Sequence, residues 1–193
     1  MLLYRVLRVI IRWILLIWRR WEVIGVNHLP VKGGVVVVSN HSSNLDPVVV
    51  GCALTRPIHF MAKQELFQIP ILVNIIKLLL AFPVNREKSD RNAIRTALKI
   101  LQEGELVGIF PEGTRSKTGE LQKPHIGAAM LAIKADVPIL PVALKGTRGL
   151  FNKVTVVVGK PIYIPEIWSN RPGKEEMEAL SERVMKEIAA LLK

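Results

Sequence analysis

Gly34 to Val38 is an unbroken apolar run, and a polar segment, Asn40-His41-Ser42-Ser43-Asn44-Leu45-Asp46, follows it almost at once. This junction constrains the fold more than any other part of the chain. Four consecutive valines suit a strand covered on both faces, which is the usual state of a strand inside a parallel sheet. Asp46-Pro47 reads as a helix start, with Asp at the N-cap and Pro at N1. The polar segment is then the turn between a strand end and a helix beginning. In open α/β sheets that edge is where ligands bind.

The remaining chain alternates in the same way. Ile58–Ala62, Ala81–Asn85, Glu105–Phe110, Ile139–Leu144 and Val154–Val158 read as strands. Glu65–Leu80 has a helical period and is interrupted at Pro70. Ser89–Glu103 is a helix with Ser89 as N-cap and Gly104 as stop. Pro124–Ala135 and Lys174–Leu192 complete the helices. The expected fold class is α/β, a mainly parallel central sheet flanked by helices. The 193 residues suit one domain with a sizeable core, with no internal repeats. Ser116–Lys123 and Ser169–Gly173 read as surface turns.

His41 and Asp46 admit two readings. A carboxylate can hold one ring nitrogen, leaving the other to take a proton from a substrate hydroxyl. Alternatively, Asp46 only caps its helix and His41 bonds locally. A second polar segment, Phe110-Pro111-Glu112-Gly113-Thr114-Arg115-Ser116, also follows a strand-like run. Two such loops at strand ends can converge on one pocket. Ser42 and Ser43 raise a rival idea, a serine nucleophile, but no Gly-x-Ser-x-Gly elbow is present. His28, His59 and His125 have no metal-ligand spacing and read as structural. The single cysteine, Cys52, excludes an internal disulfide and reads as core filler.

With these residues in view, the first segment resembles the histidine–aspartate motif of the glycerolipid acyltransferases, in particular the 1-acyl-sn-glycerol-3-phosphate acyltransferase family. The second resembles that family's glutamate-glycine-threonine-arginine motif. Phe82-Pro83-Val84-Asn85-Arg86 is similar to the motif between them. Val137-Pro138-Ile139-Leu140-Pro141-Val142 resembles the fourth. All four stand in the family's order across residues 35–144, and the likeness fades toward both termini.

The resemblance implies transfer of a fatty acyl group from a thioester to the sn-2 hydroxyl of 1-acyl-sn-glycerol-3-phosphate, giving phosphatidic acid. The donor is acyl-CoA or an acyl-carrier protein, and the attack is direct. His41 is then the base and Asp46 the group that fixes its tautomer. Arg115, Arg86 and Lys63 are candidates for the acceptor's phosphate, because cations bind phosphate oxygens and arginine does so with a planar fork. Glu112 holds a glycerol hydroxyl or orients Arg115, and Thr114 fixes the loop or touches substrate. Backbone N–H groups of the Gly113 turn or the Pro47 helix start are candidates for stabilising the oxyanion. Ile69, Ile71, Leu72, Ile75, Ile76 and Leu79 either line an acyl groove or pack as core. This chemistry calls for no metal or redox cofactor. Two alternatives stay open: another lysolipid acceptor, such as a lyso-aminolipid, and a non-catalytic lipid-binding protein at the membrane surface. The His41–Asp46 spacing argues against the latter, since binding alone does not require it.

Charge and hydropathy point to a lipid surface. The chain carries 27 basic and 16 acidic residues, a formal charge of +11, with half its residues hydrophobic. Mean hydropathy is +0.30. That combination suits an anionic membrane, and no nucleic-acid motif is present. Met1–Trp21 is apolar but interrupted by Arg5, Arg8, Arg12, Arg19 and Arg20. The first four fall within about 60° of a helical wheel. No arginine-free stretch approaches the roughly 20 residues that cross a bilayer, and each arginine at mid-membrane costs at least ~2.5 kcal/mol. Residues 1–21 are therefore expected to form an interfacial helix with its basic stripe toward headgroup phosphates, Trp13, Trp18 and Trp21 lying at the interface. Its removal is then expected to leave the rest of the chain folded. The competing reading packs this helix on the domain. Residues 22–193 would then be a single acyltransferase domain, held monotopically at the cytoplasmic face of the cell membrane.

Overall fold

The computed structural model describes residues 2–85, 90–149, 151–165 and 173–193. The strands are β1 (Glu22–Ile24), β2 (Val35–Ser39), β3 (Ile58–Lys63), β4 (Phe82–Val84), β5 (Leu106–Ile109), β6 (Ile139–Lys145) and β7 (Thr155–Val158). They form one sheet in the order β1-β7-β6-β2-β5-β3-β4. Between the strands of the described residues only the β6–β7 pairing is antiparallel, so β1 and β7 oppose the other five strands. The valine run occupies the middle of this sheet. Val36 pairs with Val107 on one side and Ile139 on the other. All five residues of β2 are buried, as a strand covered on both faces requires.

Among the described residues six helices cover the sheet: α1 (Leu2–Arg19), α2 (Asp46–Ala53), α3 (Leu72–Leu78), α4 (Arg91–Gln102), α5 (Gly127–Ala135) and α6 (Lys174–Leu191). Because side chains alternate along a strand, β2 feeds two separate apolar layers. Val36 and Val38 pack with α4, α5 and α6. Val35 and Val37 face the other way, with Val49 and Val50 of α2 and Leu15 of α1. Arg56 ties the sheet's far end together by donating to the carbonyls of Pro30, Gly33 and Gly104.

The 65–80 segment is broken at Pro70 as expected, its first piece being a 3-10 turn (Gln64–Gln68) and its second α3. Two local expectations need correction. The N-cap of α4 is Asp90, whose carboxylate accepts from the Asn92 and Ala93 amides; Ser89 lies outside the described residues, as do residues 169–172 of the last surface turn. Asp46 is the first residue of α2 and bonds no helix amide as a cap.

The largest correction concerns α1. Arg8, Arg12 and Arg19 face the domain, not the surroundings. Arg8 Nη1 donates to the Thr55 carbonyl at 3.3 Å. The Arg12 guanidinium lies over the Trp21 ring, 5.6 Å from its centre. Arg19 is buried and donates to the carbonyls of Asn152 (2.9 Å) and Gly146 (2.7 Å). The Arg5 side chain lies outside the described residues. The physical reason lies in distant carbonyls: those of Thr55, Gly146 and Asn152 need donors, and the arginine side of α1 supplies them. The apolar side consequently points outward, with Trp13 60% and Ile17 77% exposed. Among the described residues, no helix is long and apolar enough to cross a membrane.

Candidate active site

The site is assembled at the carboxyl ends of β2, β5 and β6. Asn40, one residue past β2, is clamped to the last part of β6: its amide group donates to the Leu144 carbonyl (3.0 Å) and accepts from the Leu144 N–H (2.8 Å). The chain then turns, and Asp46 folds back to gather the turn around itself. Its Oδ2 accepts from the amides of Ser42 (2.6 Å) and Ser43 (2.7 Å) and from His41 Nδ1 (2.8 Å). Asp46 is fully buried. An ionised carboxylate only accepts, so Nδ1 of a neutral His41 must carry the proton. That tautomer leaves Nε2 with a free lone pair, on a ring that lines a cavity.

The third motif holds the same loop from the other side. Glu112 is buried, and its Oε1 accepts from the His41 N–H (2.9 Å) while Oε2 accepts from the Gln122 N–H (3.1 Å). Ser116 N–H donates to the His41 carbonyl at 2.8 Å. Glu112 is thus a latch joining two loops. Burial raises its pKa, opposed by the two amide bonds. Phe110 stacks on His41 with ring centres 4.0 Å apart, and Phe60 stacks on Phe110 at 5.7 Å. Gly108 makes room for this column: a Cβ there would lie 2.4 Å from the Phe60 ring. Gly113 sits at φ +69°, and a Cβ there would meet His125 at 3.0 Å, so the turn that brings Thr114 and Arg115 to the cavity needs glycine.

The cavity has a volume of about 590 Å³. His41, Thr114, Arg115 and Lys63 lie on its wall, so the structure brings four of the expected site residues together. Lys63 is also ion-paired with Glu65 at 3.0 Å. Arg86 lies outside the described residues. Beyond these polar groups and those of Asn44 and Arg8, the wall is largely apolar. Leu72, Ile76 and Leu79 line it, whereas Ile69, Ile71 and Ile75 are exposed. Of the two readings of that segment, one face of α3 is therefore a cavity wall. Tyr4, Arg8 and Ile11 of α1 also form part of the wall, as does Cys52. Burial pushes the Cys52 thiol up to about 11, which disfavours the thiolate.

Several polar groups around the dyad are engaged elsewhere. Neither serine hydroxyl bonds His41: Ser42 Oγ pairs with Thr147 Oγ1 at 3.1 Å, and Ser43 Oγ accepts from the Leu45 amide. Gly113 N–H donates to the Phe110 carbonyl and Asp46 N–H to that of Ser43. Pro47 has no N–H, so none of these three residues offers a free amide to an oxyanion. Among the other histidines, His28 bonds the Val158 carbonyl and His59 pairs with Glu105. The residues that sequence reasoning missed are Asn40, Phe110 in its stacking role, and Thr147. Asn40 and Phe110 stand inside the quoted motifs; Thr147 had no signal beyond its place after a strand.

With the dyad and its cavity defined, comparison with known proteins becomes decisive. A family model described as Acyltransferase matches residues 20–145. A 1-acyl-sn-glycerol-3-phosphate acyltransferase of Bacillus subtilis is 36% identical over 170 residues, covering 85% of this chain and 84% of that one. The chain belongs to the 1-acyl-sn-glycerol-3-phosphate acyltransferase family. Its likeness to the enzyme of the same name from Borreliella burgdorferi is 33% over 146 residues, 74% of this chain but 58% of the relative. The fold also matches the crystal structure of the 1-acyl-sn-glycerophosphate acyltransferase of Thermotoga maritima. There the TM-score is 0.70 at 29% identity, covering 91% of this acyltransferase and 73% of that chain.

Proposed function

We propose that this acyltransferase moves a fatty acyl group from a thioester of coenzyme A or of an acyl-carrier protein to the sn-2 hydroxyl of 1-acyl-sn-glycerol-3-phosphate. The product is phosphatidic acid, a step of phospholipid biosynthesis. The reaction takes place at the cytoplasmic face of the cell membrane, where α1 lies monotopically with its apolar side in the lipid. The observation that carries the reading is the buried Asp46–His41 pair with its second ring nitrogen on the wall of a largely apolar cavity.

The chemistry follows from that arrangement. His41 Nε2 takes the proton of the acceptor hydroxyl as its oxygen attacks the thioester carbonyl. The Asp46 carboxylate stabilises the imidazolium that forms. The tetrahedral intermediate collapses with loss of the thiolate, which recovers the proton from His41. Arg115 and Lys63, on the same cavity wall, bind the acceptor's phosphate, with Arg86 as a third candidate. The apolar wall of α3 holds the acyl chain. An acidic acceptor, an anionic donor and an anionic membrane all suit a formal charge of +11.

A radiolabelled acyl-transfer assay with the purified protein tests this. The panel holds lysophosphatidate, its dephosphorylated monoacylglycerol, a lyso-aminolipid, and both donor types. Lysophosphatidate is expected to be the preferred acceptor. Transfer to the aminolipid in preference to lysophosphatidate, or no transfer from either donor, would overturn the assignment.

A further inference from the structure

The outward side of α1 does not stand alone. The turn that follows β6 carries Phe151, which is 74% exposed and lies with its ring 6.2 Å from that of Trp18. Arg19 fastens the same turn to α1 through the Asn152 and Gly146 carbonyls, and Val154 N–H donates to the Arg19 carbonyl. Helix and turn are therefore one rigid unit on the same side of the sheet. Cationic side chains flank it: Arg20 and Arg148 are exposed, and Lys153 pairs with Glu22 at 2.6 Å.

We propose that Phe151 is a second membrane-inserting element, entering the lipid beside Trp18 and fixing the roll of the protein on the bilayer. This rests on the membrane reading of α1 given above and extends it to a segment distant in sequence. The occupant is an anionic lipid surface. Apolar and aromatic side chains projecting between cations are the composition that such a surface accommodates. A helix alone is free to roll about its own axis at an interface; a second, laterally displaced anchor removes that freedom. The roll matters because Tyr4, Arg8 and Ile11, on the inner side of α1, wall the cavity.

The test uses the full chain and vesicles of phosphatidylglycerol and phosphatidylcholine. Cysteine is introduced as Phe151→Cys, as Ile17→Cys, and as Glu182→Cys on α6 across the sheet, and labelled with a polarity-sensitive fluorophore. Cys52 is buried, and the unsubstituted protein treated in the same way gives its background. With vesicles, the labels at 151 and 17 should shift to shorter wavelength and be quenched by brominated acyl chains, while the label at 182 should do neither. Unlabelled Phe151→Ser should bind the vesicles about tenfold more weakly, the loss expected for one large apolar side chain. A shift at 17 with none at 151 overturns the proposal and leaves the membrane reading standing. No shift at either position overturns both. A shift at 151 that appears without lipid and grows with protein concentration shows a second copy of the chain on this face, which also overturns it.

Discussion

Asp46→Asn separates the electrostatic part of the dyad from its architecture. Asp46 Oδ2 holds three donors at 2.6–2.8 Å in a fully buried setting. Deleting the group with alanine would orphan all three. At about 1–3 kcal/mol for an unsatisfied buried donor, and less for the half-buried serine amides, that is a large share of the 5–15 kcal/mol of an ordinary domain. Asparagine is nearly isosteric and has two ways to sit. With its oxygen in the Oδ2 place it still accepts all three bonds, but the charge that stabilises the imidazolium is gone. With its NH2 there, His41 must switch tautomer to accept, the proton moves to Nε2, and no base faces the substrate. Either outcome should lower kcat by about 10²–10⁴, the range of a positioned general base; the melting temperature should fall by only a few degrees with the oxygen inward, and by more with the NH2 inward, because the Ser42 and Ser43 amides then lose their acceptor. His41→Ala should lose at least ~100-fold for the same reason. Steady-state kinetics beside a thermal melt decide the matter. Near-wild-type turnover in a folded Asp46→Asn protein would refute the dyad.

Arg115→Ala should raise the KM for lysophosphatidate, leaving that for the donor little changed, because an ionic hydrogen bond to phosphate contributes on the order of 1.5–3 kcal/mol; an unchanged acceptor KM and kcat would remove Arg115 from the phosphate site. Glu112→Gln faces two backbone N–H donors with only one acceptor, so it should destabilise the fold by about 1–3 kcal/mol, readable in urea unfolding, and a neutral result would refute the latch. Glu112 also has a raised folded-state pKa, so the folded protein binds more protons than the unfolded one. Its contribution to stability should therefore decline as pH climbs from the ordinary glutamate value to the raised one, and the Gln variant should lack that slope. Deleting residues 1–21 should remove a wall of the cavity, the buried Leu15 and the bonds of Arg19, destabilising the domain by roughly 3 kcal/mol or more; equal denaturation midpoints would show that α1 is merely appended.

Helix α1 illustrates where sequence reading stops. Periodicity placed arginines on one side of α1 and apolar residues on the other, and both features are present. Which side faces the protein depends on carbonyls of Thr55, Gly146 and Asn152, residues up to 133 positions away. No local pattern encodes that choice. Asp46 is a similar case. An aspartate before a proline fits an N-cap, and at Asp90 an aspartate does cap its helix. At position 46 the carboxylate turns back instead, because two amides and a ring nitrogen of the preceding turn converge on it.

What the residues determined by themselves is local and repetitive. Four valines in a row demand burial on both faces, alternating strand and helix signals demand an α/β sheet, and histidine five residues before aspartate sets up the dyad across one turn. These follow from side-chain shape and short-range geometry, and they survive intact. The tertiary structure decided the order of the strands and the reversal of β1 and β7. It decided that Glu112 bonds the His41 amide, that Phe110 stacks on the imidazole, and that α1 and α3 enclose one cavity with the site. Each of these joins segments that meet only when the chain is packed, where hydrogen-bonding groups removed from water must find partners wherever the fold brings them.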